Sequence, residues 1–155
     1  MGAAYEDTSV STDKSKAQIE KLLKKFNVKA IRFTGYPSYG ILEFVREVAD
    51  KQFVPYRLTV KPKVRDWSHN TASELDRAER QVWRVVYWWL KSKLEAIEFG
   101  LVEFEQDFLP YMMLTDGQGR TDTVDHIFFE RLAGRIGSAD DPFRGLQVAL
   151  PEGRG

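Results

Sequence analysis

Cysteine is absent from the 155 residues. Its absence excludes disulfides, thiolate nucleophiles and Cys-ligated zinc or iron–sulfur sites. Histidine is scarce, with two copies, His69 and His126. His69 lies near Ser68 and Asp66, but neighbours in one short loop do not assemble a catalytic triad, and the chain contains no nucleophile elbow. It also has no Walker loop and no G-x-G-x-x-G turn. No apolar run approaches the ~18 residues that span a bilayer. Met1 to Asp13 is polar and acidic, unlike a secretory leader. These gaps predict a cytoplasmic protein that is not an enzyme, takes no cofactor or metal, and does not enter a membrane. A net excess of charge is lacking as well, with 23 Lys/Arg against 23 Asp/Glu.

The balance is local, however. Residues 1–93 carry 18 basic and 11 acidic side chains, and residues 94–155 carry 5 and 12. Such a split places a basic face beside an acidic one, or lets the two parts attract each other within or between subunits. Aromatics are plentiful, with ten Phe, six Tyr and four Trp. The length suits one domain with its own core.

The patterning predicts an α+β domain over residues 14–136, flanked by a disordered arm (1–13) and an irregular tail (137–155). An N-terminal helix capped at Asp13 or Ser15 carries Ala17, Ile19, Leu22, Leu23 and Phe26. Three alternating segments follow, Val28–Phe33, Ile41–Val48 and Phe53–Val60, forming a three-stranded antiparallel meander. Pro55 lacks a ladder donor, so the third strand is an edge or begins late. A long central helix from Ser73 to Gly100 has an aromatic waist, Val82 to Leu90, and packs on the sheet. Short C-terminal helices complete the order, at Leu101–Leu109 and Asp122–Ile136, with a small hairpin or wide turn between them.

The long helix bears the strongest constellation. Arg77, Arg80, Arg84, Trp88 and Lys91 share one face. Cations for phosphates beside a flat ring for bases is what single-stranded nucleic acid requires. Arg57, Lys61, Lys63 and Arg65, at even spacing, could extend the track. The alternatives are a solvated face paired with Glu74, Asp76 or Glu79 or with the acidic C-terminal part, and a subunit contact, since Trp and Arg also favour interface hot spots. Tyr36 and Tyr39 flank Pro37 at a hairpin tip and either stack on a ligand or pack on the turn. Asp122, Asp125, His126 and Glu130 could hold a metal, as a metal-dependent nuclease would need, or form a solvated helix face.

Ser15-Lys16-Ala17-Gln18-Ile19-Glu20-Lys21-Leu22-Leu23, Glu79 to Arg84, Leu90 to Gly100 and Phe104 to Pro110 together resemble a group of small proteins encoded in phages and prophages. That resemblance implies a viral or prophage origin. The order of a leading helix, a three-stranded meander and a long basic helix also resembles the core of Rad52-type single-strand annealing proteins, with a glycine-poor hairpin and an acidic final third as departures. It implies oligomers that lay DNA beside the long helix. The expectation is a non-enzymatic phage-type protein that binds single-stranded DNA and serves recombination as a homo-oligomer. The alternative is a protein-interaction module, such as an inhibitor of a host or defence protein.

Overall fold

The computed structural model describes residues 4–64 and 71–132. The order is helix α1 (Thr12–Lys24), strands β1 (Val28–Gly35), β2 (Gly40–Ala49) and β3 (Gln52–Val60), then the long helix α2 (Ala72–Phe99). After it come α3 (Phe104–Asp107), a 3-10 turn over Leu109–Tyr111, a hairpin of β4 (Met113–Thr115) and β5 (Thr121–Thr123), and α4 (Val124–Leu132). This is the α+β architecture that the patterning predicts. The predicted tail over 137–155 and the far end of the last helix lie outside the described residues.

α1 starts earlier than Asp13 or Ser15 would set it, because the Ser11 hydroxyl accepts the Lys14 N–H at 3.2 Å. That moves Ser15 inward, where it is buried with Ile19 and Leu23. Asn27 ends the segment with φ at 59°, a left-handed conformation that its short polar side chain tolerates.

The three strands pair antiparallel in the order β1-β2-β3, so Pro55 does sit on an edge strand. Leu42 faces Phe33 and Leu58, and Phe44 faces Ile31 and Tyr56. This register gathers one set of alternating side chains under α1 and α2. The other set, including Arg32, Glu43 and Arg57, belongs to the opposite face.

α2 owes its length to two firm ends. At its start Thr71 accepts the Glu74 N–H. At its end Gly100, with φ at 90°, donates to the Ile97 carbonyl while Leu101 donates to Ala96, both at 3.0 Å, a Schellman closure that glycine accommodates without a Cβ penalty. Trp83, Val86, Leu90 and Leu94 enter the core with Ile19, Leu23, Leu42 and Phe44. Trp83 packs edge-on to Phe33 at 5.5 Å and lies directly over Gly40, where an added Cβ would meet the indole at 3.0 Å.

α3 seals one end. Phe104 and Phe108 stack at 4.5 Å and both meet Phe44 edge-on. Arg46 ties this end to the turn after α1: it donates to the Phe26 carbonyl at 2.9 Å, pairs with Glu105 and covers the Phe104 ring at 4.4 Å. Burial pushes the Tyr56 phenol up to about 12, with the Glu105 charge adding and Arg46 opposing.

The helix predicted over Leu101–Leu109 is shorter, and its end residues are not core. A capping box between Glu103 and Gln106 starts the turn at Phe104. Leu101 is left 72% exposed and Leu109 47% exposed. Among the described residues no helix is long and apolar enough to cross a membrane.

Candidate nucleic-acid interface

The basic stripe of α2 is present, and nearly every member of it already has a partner. Arg84 is the largest departure from expectation. It is 9% exposed, and its guanidinium donates to the Gln18 side-chain amide oxygen Oε1 at 2.5 Å while lying 4.2 Å from the centre of the Tyr87 ring. Helical periodicity assigns Arg84 to the basic face, but α1 packs against that edge of α2 and takes the side chain into the helix pair. It cannot serve as an exposed phosphate contact. Arg80 pairs with Asp76 one turn earlier at 2.5 Å. Lys91 approaches Glu95 at 3.7 Å.

Trp88 stays at the surface, 40% exposed. The Lys91 ammonium lies 5.0 Å from the centre of its ring, and Arg84 lies at 5.5 Å. Tyr5 stacks on it, with ring centres 6.5 Å apart and planes 11° apart. The residues before α1 follow the same face: Gln81 donates to the Ala4 carbonyl at 2.8 Å, and Glu6 lies 3.8 Å from Arg77. Within Met1–Asp13, which composition predicts to be a disordered arm, Ala4, Tyr5 and Glu6 contact α2, and Thr12 and Asp13 belong to α1.

A second set of cations lies outside the predicted track, among the lysines that the sequence places around α1. At 100° per residue, Lys14, Gln18, Lys21 and Lys25 share one face of α1. Because Gln18 meets Arg84, that lysine face adjoins the Arg77–Lys91 face of α2. Lys14, Lys21 and Lys25 are exposed and have no ion-pair partner among the described residues. Their spacing of i, i+7 and i+11 was the available signal. Tyr5 gave no comparable signal, since its partner is far away in sequence.

The extension through β3 runs elsewhere. Arg57 lies on the sheet face opposite α2 and donates twice to Glu43, at 2.8 and 3.0 Å, while Arg32 holds the other carboxylate oxygen at 2.6 Å. Burial pushes the Glu43 carboxyl up, but hydrogen bonds and charge from Arg57 and Arg32 outweigh it and hold the group below its usual value. The even spacing does bring Arg57 and Lys61 together, in a cleft shared with Tyr39, Tyr111, Asp122 and His126. This cleft is separate from the α2 stripe. Lys63 is exposed in the following loop, and Arg65 lies outside the described residues.

The hairpin-tip tyrosines stack on each other at 4.6 Å, the local packing that the turn allows. Asp122 pairs with His126 at 3.1 Å, and Glu130 pairs with Arg120 at 2.7 Å. Among the described residues no group of three or more potential ligands converges on a metal position.

Comparison with protein-family models, curated proteins and solved structures yields no match.

Proposed function

We propose that this protein binds single-stranded nucleic acid, as an oligomer, across the outer surface of the α1–α2 pair. One observation carries the reading: Trp88, an exposed indole with a lysine 5.0 Å from its ring centre, already accepts an aromatic ring in parallel stacking. An exposed Trp beside cations is a platform for bases, and each stacked base is worth ~1–3 kcal/mol. Lys14, Lys21 and Lys25 on α1 with Arg77 and Lys91 on α2 supply charge for the sugar–phosphate backbone. The face from Arg77 to Lys91 runs for about 21 Å of helix. The element order that resembles single-strand annealing proteins supports the same reading, with the phage-type protein acting in the host cytoplasm. Phe99 is 87% exposed beside exposed Leu101, an apolar pair that contact with a second copy would cover.

The test is fluorescence anisotropy with a labelled oligothymidine and its RNA counterpart, together with light-scattering mass. The expected result is binding that weakens steeply with salt, as counterion release requires, and that drops about 10-fold or more in Trp88→Ala. Retention of full affinity by a folded Trp88→Ala, Lys91→Gln variant contradicts the site. A protein-interaction module is the second reading, favoured by exposed Phe99, Phe128 and Phe129. It predicts a chain that ignores both oligonucleotides at physiological salt.

A further inference from the structure

We infer that the segment Ala4–Asp7 is a built-in occupant of the strand-binding face, which a single strand must displace. The inference rests on the single-strand reading and specifies how that site is regulated. Three contacts seat the segment: the Tyr5 ring on Trp88, the Glu6 carboxylate near Arg77 and the Ala4 carbonyl on the Gln81 amide. An aromatic ring followed by a carboxylate presents the chemistry of a base followed by a phosphate. Tyr5 takes the place of a stacked base, and Glu6 takes the place of the anion.

The segment is held but readily released. Tyr5 has φ at 59°, a left-handed conformation that costs a non-glycine residue energy and persists where surrounding contacts impose it. Loss of the Trp88 contact therefore frees the backbone as well as the ring. Release need not disturb the fold. Ser11 caps α1 independently, and the six residue steps from Tyr5 to Ser11 can extend about 20 Å, enough for the arm to swing clear.

Because the open form is a fraction of the population, the apparent affinity of the whole chain is reduced by that fraction. The aromatic stack, the exposed ion pair and the Gln81–Ala4 hydrogen bond, offset by the left-handed Tyr5 backbone, set the closed form ahead by a factor of about 3 to 30. The experiment compares oligothymidine binding by the full chain, by a chain lacking residues 1–9, and by a full-length Tyr5→Ser, Glu6→Gln variant that guards against any folding defect of the truncation. Both altered chains are expected to bind about 3- to 30-fold more tightly than the full chain. Equal or weaker binding by both, with the full chain still binding, overturns the inference and leaves the single-strand reading standing. Absence of binding by all three overturns the single-strand reading, and the inference falls with it.

Discussion

Arg84 separates a structural guanidinium from a ligand-binding one, and Arg84→Met distinguishes the two roles. Methionine keeps much of the unbranched stem and removes the charged head. Arg84 as a whole is 9% exposed, and its head donates to the Gln18 side-chain amide oxygen at 2.5 Å. A hydrogen bond to a charged group contributes ~1.5–3 kcal/mol. The guanidinium also lies 4.2 Å from the Tyr87 ring centre and 5.5 Å from that of Trp88, and cation–π contacts of this kind add ~0.5–1 kcal/mol each. Gln18 regains water at the partly exposed edge, which returns part of the loss, so the expected destabilisation is about 2–3 kcal/mol. Urea unfolding followed by tryptophan fluorescence measures it. With a slope of about 2 kcal/mol per molar, the midpoint falls by about 1 M or more while the slope is unchanged. Arg84→Lys recovers little, because an ammonium cannot reproduce the planar contacts of the fork. An Arg84→Met midpoint within about 0.2 M of the unaltered chain refutes this account of the helix pair.

Two further outcomes follow from the packing and from the charge ladder on the sheet. Gly40→Ala puts a Cβ 3.0 Å from the buried Trp83 indole, and overpacking of this kind costs ~1–3 kcal/mol; thermal unfolding should show the loss, and relief in Gly40→Ala, Trp83→Phe relative to the sum of the single changes identifies the clash as the cause. Glu43 lies between Arg32 and Arg57 with its carboxyl held below the usual value. Its contribution is therefore complete above the unfolded value of ~4.3 and disappears as pH falls through the lower folded value. Glu43→Gln should be less stable at pH 7, with the gap closing below about pH 4; a gap that does not depend on pH contradicts the ladder.

The sheet and the ends of α2 were open to sequence reading because each depends on local rules. Alternation located the three strands, Pro55 marked an edge, and Gly100 ended the helix. The partners of the basic stripe were not open in this way. Periodicity places Arg84 and Trp88 on the same side of α2, but it does not reveal that α1 buries one and leaves the other exposed. Even spacing aligned Arg57 with Lys61, yet the sheet separates Arg57 from α2, and strand pairing alone could not show which face α2 would cover. The seat of Tyr5 depends on a contact with a residue 83 positions away, beyond the reach of composition. Leu101 and Leu109 look apolar enough for a core, but the Glu103 cap and Pro110 hold the α3 turn to a length that excludes both.

The central claim is that a single strand lies on the α1–α2 face with a base on Trp88. Photo-crosslinking of a 5-iodouracil oligonucleotide, with the adduct mapped by mass spectrometry of the digested chain, tests it most directly. The account predicts the adduct on Trp88, stronger after residues 1–9 are removed. An adduct confined to Tyr36 or Tyr39 at the hairpin tip, or to the cleft beside Arg57 and His126, would contradict it.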